Sequence, residues 1–274
     1  MNNWNLNIPQ KIHFYWSGKM PYLRYLSALS FKRLNPGWKI VIWTSQVKSR
    51  LRTWQSSELY YEQNWDDWTD KFYDLCDEFY AVDFKELGVG NDISEVHKSD
   101  LLRYWLLNKY GGVYSDTDII YFKPITKLSV NSKENRDIET FVCICNYGHS
   151  NGFFMASEGS VFFGRMFNEA REVNLVRYQS IGPDLSNKLF PTIESINEFS
   201  PAVDIGMDSI YFYNAQHIDE IYRKKDLKFP AGVIGTHWYA GHPLSGTFLN
   251  STNGGLKNLP DNIIGRLCKM SFQL

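Results

Sequence analysis

The chain has 274 residues, of which 43% are hydrophobic and 22% charged, a composition that allows a buried core and excludes disordered and collagen-like proteins. Its 29 basic and 30 acidic residues leave a formal net charge of −1, which argues against a protein built to coat nucleic acid. Four cysteines are too few for a disulfide scaffold, so we expect reduced thiols in or near the core.

We expect neither a targeting signal nor a membrane-spanning segment from this sequence. Residues 1–10 have neither a basic start nor an apolar stretch, and no window approaches the roughly 18 apolar residues of a membrane span. The predicted location is therefore the cytoplasm. Seven bases against two acids after Glu220 also suggest peripheral contact of this end with the inner membrane, although solvated side chains are the simpler explanation.

The N-terminal part of the chain predicts a strand, a helix and a second strand. Residues 11–16 form a short β-rich run, a helical pattern follows from Pro21 to Leu34, and residues 38–43 form another β-rich run. A strand, helix, strand unit of this kind predicts a right-handed crossover and a parallel sheet.

Two helices are predicted in the next part of the chain, which we treat as a helical insertion at about residues 46–110. In the first, apolar residues recur at three- and four-residue spacing, with acidic residues between them. These apolar residues are Trp65, Trp68, Phe72, Leu75 and Phe79. The second helix runs from Asp92 to Tyr110, and Gly111-Gly112 ends it.

Further short elements are predicted after this glycine pair. Strands are expected at residues 113–115, 119–122, 141–145 and 152–156, and a helix at residues 164–176. After Pro201 the sequence is rich in loops.

The most informative segment contains two aspartates one residue apart, Asp116 and Asp118. They follow a strand and could present carboxylates at the ligand-binding edge of an α/β sheet. Such carboxylates suit Mg²⁺ or Mn²⁺, which complete their shells with phosphate oxygens. Taken alone, the pair is more typical of a surface turn. Asp100 and Arg103 share a face of the preceding helix, where Arg103 can pair with Asp100 or reach a phosphate or sugar hydroxyl.

Residues 99–104 and 110–118 closely resemble the sugar-binding region of the DXD-containing glycosyltransferases. This family includes bacterial capsule and O-antigen transferases, relatives of the yeast initiation-specific mannosyltransferase and, more distantly, the clostridial glucosylating toxins. Residues 8–18, 35–38 and 42–43 are also similar to the family, and the resemblance is fainter at Asn151-Gly152-Phe153, Gly182-Pro183 and His237-Trp238.

The resemblance implies an α/β fold of the GT-A type, with a mostly parallel central sheet and an added helical region, as a single domain over residues 1–274. It also implies a nucleotide-sugar donor, Mn²⁺ or Mg²⁺, and retention of the anomeric configuration. By position, Trp16 would stack on the donor base, Asp100 and Arg103 would hold the donor sugar, Asp116 would contact ribose or sugar, and Asp118 would bind the metal.

Four further positions carry weaker expectations. Tyr114 and Ser115, next to Asp116, are grouped with the donor-binding residues. His237 is the better candidate for a second metal ligand, because many relatives have a histidine before a segment ending in Ser-Trp. This chain lacks that ending, and His242 either contacts phosphate or is structural.

We therefore expect a metal-dependent hexosyltransferase that uses a UDP-sugar, with galactose, glucose or an N-acetyl form, in O-antigen or capsule assembly. Its acceptor would be a saccharide or a lipid-linked oligosaccharide, and no nucleic acid is expected as a partner. The alternatives are a host-directed glucosyltransferase effector, a non-catalytic sugar-binding module and a metal-dependent phosphohydrolase. A phosphohydrolase would need a nucleophile or a second carboxylate group at metal-ligand spacing, which the sequence does not show.

Overall fold

The computed structural model describes residues 7–51, 66–128, 138–145, 148–206, 208–226, 228–252 and 258–273. The elements up to the DXD segment are β1 (Lys11–Tyr15), α1 (Tyr22–Leu34), β2 (Lys39–Ser45), α2 (Thr69–Tyr73), β3 (Glu78–Val82), α3 (Glu95–Tyr110), β4 (Gly112–Ser115) and β5 (Ile119–Tyr121). Those that follow are β6 (Thr140–Val142), β7 (Ile144–Cys145), β8 (Gly148–His149), β9 (Phe153–Ala156), α4 (Val161–Glu172), α5 (Pro183–Leu189), α6 (Ile193–Asn197), β10 (Ala202–Asp204), α7 (Asp219–Arg223), β11 (Gly235–His237), α8 (Pro243–Thr252) and α9 (Ile263–Gln273).

The central sheet has seven strands in the order β10-β6-β9-β4-β1-β2-β3. Strands β4, β1, β2 and β3 are mutually parallel, β10 is parallel to β6, and β9 is antiparallel to both of its neighbours. Ile12 in β1 lies opposite Ile40 in β2 and Val113 in β4, which confirms the predicted opening unit and parallel sheet. The carboxyl ends of β1, β2 and β4 therefore meet at one edge.

Apolar side chains cover both faces of this sheet. Along β1, Ile12 and Phe14 belong to the cluster that contains residues of α1 and α9, whereas Tyr15 belongs to the cluster that contains residues of α3 and α4. Successive strand residues point to opposite faces, so a short run of buried residues supplies both clusters. The sheet is thus a rigid support for the loops at its edge.

Helix α3 and the glycine pair after it bring the chain to the DXD segment. The helix begins after Ser94, whose hydroxyl accepts a hydrogen bond from the His97 N–H at 3.3 Å. Gly111 and Gly112 have positive φ angles of 58° and 93°. A Cβ at Gly112 would also lie 2.6 Å from the Lys11 carbonyl oxygen, so only glycine lets β4 pair closely with β1 here.

The amphipathic helix predicted from Trp65 to Phe79 was wrong in its second half. Trp65 lies outside the described residues, and α2 ends at Tyr73. Phe72 is buried as expected, but Phe79 lies in β3 with 45% of its surface exposed. Pairing of the β3 backbone with β2 overrides the helical spacing, and the described part of the region around residues 46–110 thus includes an edge strand as well as helices.

Two other boundaries differ from the predicted ones. The strand expected over residues 141–145 is split at Cys143, since the Ile144 N–H donates to the Asp204 carboxylate at 3.0 Å. Helix α4 spans Val161–Glu172 instead of residues 164–176. All four cysteines are free, and Cys143, Cys145 and Cys268 are buried, as the sequence predicts.

Four of the seven basic residues after Glu220 form ion pairs with acids. Arg223 pairs with Asp219, Lys224 with Glu220, and Lys225 and Arg266 with Asp261. The predicted membrane contact of this end stays a prediction. Across the described residues, every helix is too short or too polar to cross a membrane.

Buried His13 gives the first testable prediction. Its Nδ1 accepts from the Trp43 indole N–H at 3.1 Å, and its Nε2 lies 3.0 Å from the Gly111 carbonyl oxygen, which suits the neutral ring with its proton on Nε2. Burial lowers the pKa of His13 to about 4, from 6.5 for a free side chain. Between pH 6.5 and 4 the histidine binds a proton in the unfolded chain but not in the folded one. Acidification across this range therefore lowers the free energy of unfolding by up to about 3 kcal/mol.

We expect the stability of His13→Gln to fall less than that of the wild type between pH 6.5 and 4. The measurement is urea unfolding of both proteins across this range, and their difference isolates His13 from other titrating groups. Parallel stability curves would contradict the prediction.

Candidate active site

The two DXD aspartates lie just beyond β4, at the carboxyl edge of the sheet. The Asp116 N–H donates to the Gly152 carbonyl at 2.7 Å, and the Asp116 carbonyl accepts from the Ser115 hydroxyl at 2.9 Å. Asp118 precedes β5, where its own carbonyl accepts from the Trp238 N–H at 2.8 Å. The turn is therefore held by its main chain, and the carboxylates do not have to stabilise it.

A tertiary contact brings His237 to these aspartates. Strand β11 pairs antiparallel with β5, with His237 opposite Ile119. His237 Nε2 lies 3.1 Å from Asp118 Oδ1. Asp116, Asp118 and His237 each offer a ligand atom, and these atoms lie within 4.8 Å of one another. The structure thus brings together the two aspartates and the histidine proposed from the resemblance.

The donor set fits a divalent cation. Asp118 Oδ2 accepts from the Ala240 N–H at 3.1 Å, and the buried Asp118 Oδ1 has His237 Nε2 as its close polar neighbour, at 3.1 Å. A metal ion bound between this oxygen and the His237 nitrogen would take the place of that contact. Carboxylates and a histidine nitrogen are common ligands of divalent metals.

The two aspartates have opposite pKa shifts. Burial raises the pKa of Asp116, opposed by Arg103, and the negative charge of Asp118 raises it further. Burial also opposes ionisation of Asp118, but His237, Arg24 and the Ala240 N–H outweigh it and hold the pKa of Asp118 well below its usual range. Asp118 is therefore ionised at neutral pH, as a metal ligand must be.

Arg103 connects Asp116 to Asp100. Its Nη2 lies 2.8 Å from Asp100 Oδ1 and 3.2 Å from Asp116 Oδ1, and its Nη1 donates to the Asn151 carbonyl. Arg103 is 4% exposed. A single buried guanidinium thus bridges two carboxylates, and burial raises the pKa of Asp100 to about 7 despite the attraction of Arg103.

Tyr114 and Ser115 occupy supporting positions. The Tyr114 ring lies 4.9 Å below the Arg103 guanidinium, and its hydroxyl is 2.7 Å from the Ser99 hydroxyl. The Ser115 hydroxyl accepts from Tyr121 at 2.8 Å. Both side chains are buried and hydrogen-bonded within the protein, and direct donor contact stays a prediction for each.

Trp16 and His242 lie nearer the surface. Trp16 follows β1 and is partly exposed, with the Arg24 guanidinium 4.7 Å from its ring. His242 is outside the metal-ligand group, and its Nδ1 accepts from the Leu244 N–H at 3.3 Å in the first turn of α8. Base stacking by Trp16 and phosphate contact by His242 stay predictions.

Sequence reasoning did not find Arg24 or Tyr211. Arg24 is 4% exposed, lies 5.5 Å from the Trp238 ring and donates to the Thr117 hydroxyl at 2.7 Å. Its charge among the apolar residues at the start of α1 was the available signal. Tyr211 packs against His237 with ring centroids 5.1 Å apart, and its sequence position in a loop carries no comparable signal.

A family profile described as the glycosyltransferase sugar-binding region containing a DXD motif matches residues 22–137. This part of the chain is therefore similar to the DXD-containing glycosyltransferases, as the sequence resemblance predicts. The matched range contains Asp100, Arg103, Asp116 and Asp118, and it ends before His237.

Several solved structures are similar to this one. The glycosyltransferase GlyE of Streptococcus pneumoniae TIGR4 has a TM-score of 0.50 and 11% identity over 96% of this chain and 60% of that chain. The galactosyltransferase LgtC, in complex with donor and acceptor sugar analogs, has a TM-score of 0.46 and 13% identity over 96% of both chains. The PaToxG glycosyltransferase has a TM-score of 0.48 and 14% identity over 70% and 74%.

The similarity to GlyE, together with the central sheet, defines the predicted GT-A type of fold. This chain spans 60% of the length of the GlyE chain. A search of curated protein sequences found no match.

Gly152 gives a prediction about this site. A Cβ at this position would lie 2.8 Å from Asp116 Oδ2 and 2.6 Å from the Tyr211 hydroxyl, closer than such atoms approach. We expect Gly152→Ala to displace the Asp116 carboxylate and lower nucleotide release about 100-fold, because misplaced catalytic groups lose much of their effect. Gly37→Ala is the control, since a Cβ there would approach only the Gln10 Oε1 atom, at 4.0 Å, and its backbone does not have a positive φ. Wild-type turnover in Gly152→Ala would show that Asp116 does not need this position.

Proposed function

We propose that this glycosyltransferase transfers a hexose from a UDP-sugar, carrying galactose, glucose or an N-acetyl form, to an acceptor in surface polysaccharide assembly. The acceptor is a saccharide or a lipid-linked oligosaccharide of O-antigen or capsule, and the anomeric configuration is retained. The observation that carries the proposal is the group of Asp116, Asp118 and His237 beside the pair of Asp100 and Arg103. The resemblance of residues 99–118 to capsule and O-antigen transferases supports the choice of pathway.

The charges of the site favour a cation and a diphosphate together. Three carboxylates, those of Asp100, Asp116 and Asp118, lie near two guanidinium groups, those of Arg103 and Arg24. The carboxylates are therefore in excess when all are ionised, and they would repel a diphosphate. A divalent metal held by Asp118 and His237, with Asp116 beside them, would neutralise the charge that develops on the leaving diphosphate.

The protein side chains have separate tasks in this reaction. Arg103 holds the Asp100 and Asp116 carboxylates in place to accept hydrogen bonds from donor hydroxyls. The bond between sugar C1 and the diphosphate breaks, and the acceptor oxygen forms its bond to C1 on the same face. The acceptor proton passes to the leaving phosphate oxygen. This front-face mechanism needs no carboxylate nucleophile.

The alternative acceptor is a host protein, modified by an effector of the same fold. PaToxG and the YGT toxin domain are among the similar structures, but at this level of similarity the fold carries no information about the acceptor. Acceptor preference separates the two functions. A lipid-linked oligosaccharide substrate supports the proposal, and exclusive modification of a protein supports the effector.

The first test is a panel of UDP- and GDP-sugars, each with Mn²⁺, Mg²⁺ or EDTA, measured as nucleotide release without acceptor. We expect slow, metal-dependent release from one UDP-sugar. The stereochemistry of the product then reports retention by NMR. No release across the panel, together with no metal-dependent binding of UDP or GDP by calorimetry, would contradict the proposal.

His237→Ala tests the proposed second metal ligand. We expect its affinity for Mn²⁺ to fall at least tenfold, because a direct ligand is lost from the site. The matched control is His217→Ala, whose ring is 60% exposed and lies away from this group. An unchanged Mn²⁺ affinity and requirement in His237→Ala would remove His237 from the metal site.

A further inference from the structure

The buried hydroxyl of Tyr211 forms no hydrogen bond within the part of the protein that the structure describes. The residue itself is 2% exposed. Buried tyrosine hydroxyls normally have a partner, since leaving one unsatisfied is costly. Two other buried tyrosines have one: the Tyr22 hydroxyl is 2.8 Å from Thr252 Oγ1, and Tyr104 donates to the Ile181 carbonyl at 2.9 Å.

The unused hydroxyl faces the DXD site. The point that a Cβ of Gly152 would occupy lies 2.6 Å from the Tyr211 hydroxyl and 2.8 Å from Asp116 Oδ2. The two oxygens therefore both lie beside Gly152, close to one another. The other oxygen of this carboxylate, Asp116 Oδ1, lies 3.2 Å from Arg103 Nη2.

The Tyr211 ring is fixed by its neighbours. It packs against the His237 ring at 5.1 Å between centroids, and the Tyr239 ring is 6.5 Å away. Burial raises the pKa of Tyr211 well above its usual range, so the hydroxyl remains protonated and can donate. A phenol held in this way is a preorganised donor placed between two residues of the metal-ligand group.

We propose that the Tyr211 hydroxyl donates a hydrogen bond to an oxygen of the bound nucleotide sugar beside Asp116. This inference rests on the proposed function. The acceptor is an oxygen of the diphosphate or a hydroxyl of the donor sugar, both of which accept such a bond. Because Tyr211 lies against His237 and near Asp116, the diphosphate oxygen is the expected partner. Tyr211 is thus a further donor-binding residue.

The experiment compares Tyr211→Phe with wild type and with Tyr22→Phe, a buried tyrosine whose hydroxyl is satisfied away from the site. Calorimetry measures binding of UDP and of the accepted UDP-sugar in the presence of Mn²⁺, and thermal unfolding measures the ligand-free proteins. We expect Tyr211→Phe to bind UDP at least tenfold more weakly, since hydrogen bonds to charged groups are strong. Its Tm without ligand should equal or exceed that of wild type, because no bond within the protein is lost.

Tyr22→Phe should show the reverse pattern, with a lower Tm and unchanged UDP affinity. Weaker binding of the UDP-sugar alone in Tyr211→Phe would assign the hydrogen bond to the sugar instead of the diphosphate. Equal affinity of wild type and Tyr211→Phe for both ligands would overturn the proposal, as would a loss of Tm like that of Tyr22→Phe. A wild-type protein that binds neither UDP nor GDP with metal would instead refute the proposed function itself.

Discussion

Asp118→Asn is expected to abolish measurable Mn²⁺ binding and to lower nucleotide release at least about 100-fold, the scale of effect seen when a preorganised electrostatic group is removed. The amide is nearly isosteric with the carboxylate, but it has no charge to hold a divalent ion. Asp118 Oδ1 is buried beside His237 Nε2, and in the proposed site these two atoms bind the metal.

The measurements for Asp118→Asn are Mn²⁺ titration by calorimetry and nucleotide release from the accepted donor. Asp70→Asn is the control, because Asp70 is exposed in the first turn of α2, outside the metal-ligand group. Wild-type turnover in Asp118→Asn would show that the metal assignment is wrong.

Arg103→Met should have the largest effect on stability. It removes the one guanidinium that lies between Asp100 and Asp116 and leaves both carboxylates without it. Breaking a buried ion pair by deleting one partner costs about 3–5 kcal/mol, a large part of the total stability of a typical protein. We therefore expect a fall in Tm of about 10 °C, together with loss of donor turnover.

The measurements for Arg103→Met are thermal and urea unfolding. The control is Arg165→Met, whose guanidinium pairs with Glu169 at 2.7 Å but whose side chain is 52% exposed; such pairs contribute less than about 1 kcal/mol. A double variant, Arg103→Met with Asp100→Asn, should recover part of the loss because one uncompensated charge is gone. Equal stability of the two single arginine variants would contradict the buried network.

Local signals in the sequence were sufficient for much of the fold. The β1, α1, β2 unit and the end of α3 at Gly111 were predicted correctly. Strand-forming runs, helix-breaking residues and the glycine pair each affect the conformation of residues close to them in the sequence. The same holds for the DXD aspartates, which the end of β4 places at the sheet edge. The helix predicted through Phe79 failed because the partner of β3 is a strand distant in the sequence, and spacing alone does not report it.

The site residues also divide into those that the sequence predicted and those that only the structure showed. Asp100, Arg103, Asp116 and Asp118 lie close together in the chain, so their motif was readable and the family profile includes them. The approach of His237 to Asp118 depends on the pairing of β11 with β5, and its assignment in the sequence rested on family resemblance alone. Arg24 and Tyr211 reach the site from α1 and from a loop, with no motif to connect them to it.

The sequence by itself determined an α/β chain with a DXD sugar-binding segment, because those properties depend on neighbouring residues. Only the tertiary structure decided which side chains complete the site and which of them lack a protein partner. Burial and hydrogen bonding depend on residues far apart in the chain: the pairing of β11 with β5 brings His237 to Asp118, and the Tyr211 hydroxyl is buried without a hydrogen-bond partner among the described residues.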